Sequence, residues 1–122
     1  MSVSTRNTVA WILQALLAFA FTASGISKFL HLDEAVKGFI SMGFPGWMLY
    51  LIASAEVLGG IGLLLLRFVR PAALGLIIIM IGAVYLHATK IPGGLAKGVP
   101  ALVLLVLLVV VLVLRRPTTL AA

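Results

Sequence analysis

Apolar residues run almost unbroken through four stretches of the chain, near residues 9–30, 47–66, 71–90 and 99–114, and the polar residues collect between them. Each stretch approaches the roughly 20 residues that a helix needs to cross a hydrocarbon core. The pattern predicts an all-α protein, a four-helix transmembrane bundle forming a single integral membrane domain over residues 1–122.

The gaps carry helix punctuation. "RFVRP" (67–71) places two arginines and a proline between the second and third spans, where Pro71 can open a helix without sacrificing a needed N–H. "KIPGGLAKGVP" (90–100) closes the third span and releases the fourth in the same way. Between the first two spans, "HLDEAVKGFISMGFPGW" (31–47) is too polar to cross. Leu32, Val36, Phe39 and Ile40 recur at helical spacing, Asp33 and Glu34 suit a helix start, and Gly43 with Pro45 suits its end. A short interfacial helix over about 33–42 follows from that spacing. Trp11 and Trp47 fall near span ends, where indole rings settle.

A cleaved signal peptide is the rival reading of the first span, with Arg6, an apolar run and the small-residue pattern Ala18-x-Ala20. The apolar run continues through Phe21 to Ile26, longer than a signal core, and favours a retained span.

Composition agrees with the pattern. Hydrophobic residues make up 63% of the 122 and charged residues 10%, with a mean hydropathy of +1.28; a soluble chain carries about a quarter charged. The net charge of +6 suits anchoring to the anionic headgroups of a lipid bilayer, and no clustered basic and aromatic surface of the kind nucleic acid requires is present. Arg6, Arg67, Arg70, Arg115 and Arg116 fall on one side of the spans, and Lys28, Lys37, Lys90 and Lys97 on the other. This margin favours both termini in the cytoplasm. Without cysteine the chain builds no thiolate, disulfide or iron–sulfur chemistry, and two histidines with three acids are too few for a closed zinc site.

Depth then sorts the polar residues. Glu56 lies nine residues past Trp47, about 14 Å along the axis and near the midplane of a core about 30 Å thick. His87, counted from Pro71, lies about 24 Å along, and Lys28, counted from Trp11, about 25 Å, so both fall in the outer half. Gln14, Phe21, Ser24, Lys28 and His31 share one face of the first helix, and Met80, Ala83 and His87 share one face of the third. Glu56 shares a face with Ala53, Gly59 and Gly60, small residues that let a neighbouring helix come close, while Gly75 and Gly82 mark a second packing seam. A polar pocket lined by Ser24, Lys28, Glu56, Met80 and His87, with Tyr50 near its mouth, is the expected site.

Each residue has a plainer reading. Glu56 can lock two helices through a hydrogen bond, Lys28 can snorkel to the headgroups, and His87 can be an interfacial histidine. His31 reads as surface. "GGIG" (59–62) follows no strand and lies within a span, which favours helix packing over a nucleotide loop.

The segments "ASGISKF" (23–29), "FISMGFPGWMLYLIASAEVLGGIGLLL" (39–65), "AALGLIIIMIGAVYLHATK" (72–90) and "PALVLLVLL" (100–108) resemble the DoxX-like family of small four-helix bacterial membrane proteins. The most specific elements are Gly25-x-x-Lys28, Gly43-x-Pro45, Glu56 before Gly59-Gly60, and His87 closing the third helix. The resemblance implies a bacterial inner membrane and an association with redox systems. The family is named from a subunit of a thiosulfate–quinone oxidoreductase, other relatives belong to a membrane oxidoreductase complex tied to thiol and oxidant stress, and a distant animal relative is an assembly chaperone for ion-channel receptors. This chain lacks the cysteines of a thiol relay, so redox chemistry would belong to a bound quinone or to oxidoreductase partner subunits, with no intrinsic cofactor.

Three functions stay open. The pocket holds a small lipophilic molecule such as a quinone; or Glu56 is the general acid or base of a membrane enzyme, with Lys28 or His87 as its electrostatic partner; or Glu56 is a helix lock in an assembly protein whose glycine faces recruit other helices, including copies of itself. Four short spans leave a transporter little room for alternating access unless the chain dimerises.

Overall fold

The computed structural model describes residues 2–90 and 98–116, which form five helices and no strand. Helix α1 (Val3–Leu30) starts earlier than the apolar run predicts, because the Ser2 side chain caps it by accepting from the Thr5 N–H at 3.1 Å. It runs unbroken for 28 residues, about 42 Å. After His31 the chain enters α2 (Leu32–Ser41), which buries no residue fully and has Asp33 and Glu34 in its first turn. Gly43, at φ 91°, turns the chain after α2, a conformation that favours glycine.

Helix α3 (Trp47–Gly62) corrects the expected 47–66 span: it ends four residues short, and residues 63–68 are turns. Gly59, Gly60 and Gly62 weaken the helical preference there, and the Leu63 carbonyl is instead taken by the buried Gln14 amide, which donates at 2.6 Å. Helix α4 (Val69–Thr89) opens two residues before Pro71, which therefore stands third in the helix rather than first and still forfeits only an N–H that lacks an intrahelical partner. Helix α5 (Val99–Leu114) has Pro100 in its first turn. Most of the 90–100 connection, with Lys97, lies outside the described residues.

The glycines show why α1 and α3 cross so closely. A Cβ at Gly25 would stand 2.7 Å from the Ala53 carbonyl oxygen and 2.5 Å from Val57 Cγ2, and one at Gly60 would stand 3.0 Å from the Ala18 carbonyl oxygen. Gly25 against Ala53 and Gly60 against Ala18 run in opposite senses, so the helices are antiparallel. Gly59 against Leu76 and Gly62 against Ala72 make α3 and α4 antiparallel as well. The Arg70 guanidinium donates to the Leu112 carbonyl at 2.8 Å, tying the start of α4 to the end of α5. Leu17, Phe21, Leu63, Leu76, Leu108 and Val111 meet in the core. Gly75 and Gly82 correct the expected second seam: a Cβ at either would meet nothing within 4 Å. Both are exposed, and Gly82 lies in the lining of the cavity described below.

Candidate functional site

The α1–α3 crossing sets Ser24 and Lys28, one turn apart, against Glu56. Lys28 Nζ lies 2.7 Å from Glu56 Oε1, Ser24 Oγ donates to Oε2 at 3.0 Å, and Lys28 Nζ donates to Ser24 Oγ at 2.9 Å. Both carboxylate oxygens are thus engaged by α1. The pairing is asymmetric in exposure, 29% for the Lys28 side chain against 3% for that of Glu56. Lys28 therefore reaches toward Glu56 while part of its side chain stays exposed. Counting rise from the two tryptophans sets Lys28 and Glu56 at different depths; the aligned levels are Ser24 and Glu56, and the lysine stem spans the remaining turn.

The ammonium and the carboxylate open onto a cavity of about 500 Å³ between α3, α4 and the α2 segment. Its walls are apolar and soft, with Met42, Met48, Met80, Phe39, Phe44 and Ile52 prominent. His87 lies in the lining with Ala83 and Met80, the face that helical spacing assigns to α4. His87 Nδ1 is 2.9 Å from the Ala83 carbonyl oxygen. A carbonyl can only accept, so Nδ1 is the donor in this contact, which leaves Nε2 as the ring nitrogen open to another partner.

Five of the six residues expected at the site bear on it, in different ways. Lys28, Glu56, Met80 and His87 line the cavity, and Ser24 acts behind them by holding Glu56. Tyr50 is not among the lining residues: its ring is exposed and packs against Phe29, at 6.5 Å between centroids. His31 is exposed, as surface readings expect. The α2–α3 connection instead contributes Met42 and Phe44 to the lining, and behind them Lys90 donates to the Met42 carbonyl at 3.1 Å and lies 5.5 Å from the Phe44 ring centroid. The apolar face of α2 signals part of this wall in advance; Met42 and Phe44 carry no such signal. Among the described residues, no group of three His, Cys, Asp or Glu side chains could hold a metal ion.

The chain as a whole matches a known family. A DoxX-like family profile covers residues 12–114. The chain belongs to the DoxX-like family. It is also similar to "Putative oxidoreductase CatD" of Bacillus subtilis (strain 168), 28% identical over 81 residues, which are 66% of this chain and 60% of that protein. No solved structure matches the chain.

Proposed function

We propose that this DoxX-like protein holds a small lipophilic molecule of the quinone class in the cavity beside Glu56, as the accessory subunit of a membrane oxidoreductase or stress-response system in a bacterial inner membrane. The observation that carries the reading is a buried acid, ion-paired to a part-exposed lysine, opening onto an apolar cavity of ligand size. The oxidoreductase named among its relatives favours a redox setting.

The residues fit a quinone ring. Apolar and thioether walls suit its faces, and the exposed side of the Lys28 ammonium can donate to a ring carbonyl. His87 Nε2 can accept from a ring hydroxyl when the ligand is the reduced form. A bound quinone supplies the capacity to take up two electrons and two protons at its ring oxygens. Ser24 keeps Glu56 oriented, and Glu56 keeps Lys28 in the cavity.

The protein crosses the membrane four times in this proposal, with both termini cytoplasmic and α2 lying on the outer surface. Helices α1 and α4 are long and apolar enough to span, and only 33% and 22% of their most apolar windows are buried within the protein, which leaves large surfaces for lipid. Helices α3 and α5, at 16 residues each, are about 24 Å long and complete their crossings with flanking residues such as Leu63–Leu66.

A helix-lock function is the competing reading, favoured by the interhelical Ser24–Glu56 hydrogen bond. Calorimetric titration of the full chain in mild detergent with a short-tailed benzoquinone and its quinol separates the two. Ligand holding predicts saturable binding, weakened about tenfold by Glu56→Gln, a loss of the size expected for one charge-assisted contact, and unchanged by Tyr50→Phe. No binding to the wild type, or equal binding by wild type and Glu56→Gln, would sink it.

A further inference from the structure

The end of the molecule opposite the cavity buries a charge. Arg115, directly after α5, is 3% exposed. Its Nε donates to Gln14 Oε1 at 2.7 Å and its Nη1 to Asn7 Oδ1 at 2.7 Å, and the guanidinium carbon lies 5.3 Å from the Trp11 ring centroid. These partners are neutral. Nη2 is buried and makes no hydrogen bond among the described residues.

Burying a guanidinium is costly unless an anion accompanies it. No acidic side chain can serve: the chain has three, and Asp33, Glu34 and Glu56 are all at the other end. Further positive charge gathers instead. The Arg70 Nη1 donates to the Arg115 carbonyl at 3.2 Å, and the antiparallel helices bring Arg6, Arg67 and Arg116 to the same end, whereas Lys28, Lys37 and Lys90 lie at the opposite one. Arginine rather than lysine is the side chain whose planar fork matches a phosphate.

We propose that Arg115 and Arg70 form a site for the phosphate group of an anionic phospholipid, with the free edge of Arg115 as its central donor. The lipid source is favoured by what adjoins the site. Ile12 and Leu16 on α1, and Val109 and Val113 on α5, are exposed apolar residues on the two helices that frame Arg115, and they offer surface for acyl chains. Gln14 and Asn7 act as positioning residues, fixing the guanidinium through Nε and Nη1 and leaving Nη2 as the donor for the phosphate.

The test is native mass spectrometry of the full chain, delipidated in mild detergent and titrated with dioleoylphosphatidylglycerol, with dioleoylglycerol as the phosphate-free control and inorganic phosphate as the headgroup-free one. One phosphatidylglycerol should be retained in preference to dioleoylglycerol. Arg115→Gln should weaken retention about tenfold, as loss of one charge-assisted contact implies, and Arg116→Gln, exposed at the same end, less than about twofold. Arg115→Lys keeps the charge and guards against misfolding of the glutamine variant; it should fold and still bind more weakly than wild type. Retention of inorganic phosphate to the same degree would assign the phosphate site to the free ion. Equal retention of the two lipids, or equal losses at Arg115 and Arg116, would overturn the proposal in favour of diffuse surface charge.

Discussion

Glu56 and Lys28 share one ion pair but not its consequences. Removing the lysine strands a carboxylate that is almost wholly buried, whereas removing the acid leaves an ammonium already part-way to the surface and free to turn outward. Lys28→Met is therefore expected to cost about 3–5 kcal/mol of stability and Glu56→Gln distinctly less, the difference being read from unfolding of the two variants in mixed detergent micelles. Equal losses would mean that Glu56 is not held as the charged partner of Lys28. Glycines separate in the same manner. Gly25→Ala would press a methyl against the Ala53 carbonyl and is expected to cost about 1–3 kcal/mol, while Gly75→Ala enters open space and should be neutral or gain up to about 1 kcal/mol. If both were neutral in the same unfolding assay, the α1–α3 contact would not be as close as described.

Among the helices, Gln14 is the side chain on which three elements converge. Its amide donates to the Leu63 carbonyl where α3 ends, and its oxygen accepts from Arg115 at the end of α5. Gln14→Leu leaves a carbonyl and a charged donor without partners in the interior and is expected to lower stability by about 2–4 kcal/mol, measured by the same unfolding assay; a loss under about 0.5 kcal/mol would show that water replaces both contacts. Gln14 also marks how far the sequence could be read. The polar stripe from Gln14 to Lys28 correctly picks the face of α1 that looks inward, because a 3.6-residue period is a local property. Its partners are not local. Arg115 is 101 positions away, and no spacing rule connects them. The end of α3 is hidden for a related reason: Leu63–Leu66 are as apolar as a helix interior, and beside the local glycines it is the tertiary bond from Gln14 that takes the Leu63 carbonyl. Glu56 and His87 were legible because an ionisable group in an apolar run stands out by itself, and Lys28 was legible as a residue but not in its direction.

At the scale of the whole molecule, the arginine end and the lysine end are chemically different faces of one antiparallel arrangement. The proposed topology puts the arginine end in the cytoplasm. Since the chain has no cysteine, single cysteines can be introduced without a background: Ser2→Cys, Arg67→Cys and Arg116→Cys should be shielded from an impermeant thiol reagent added outside intact cells, and Lys37→Cys should be labelled. Labelling of position 67 from the side opposite to 116 would break the four-span topology. The arrangement also keeps the acid–lysine pair and its cavity at one end and the buried Arg115 at the other, so a ligand at the first and a lipid at the second can be separated by mutation. The measurement that bears most directly on the central claim is native mass spectrometry of the wild type and Glu56→Gln released from the membrane in mild detergent, with no ligand added. Holding a lipophilic ligand beside Glu56 predicts a defined small molecule that accompanies the wild type and is lost from a folded Glu56→Gln protein. The same lipids and the same oligomeric state on both would contradict it and leave Glu56 as a helix lock.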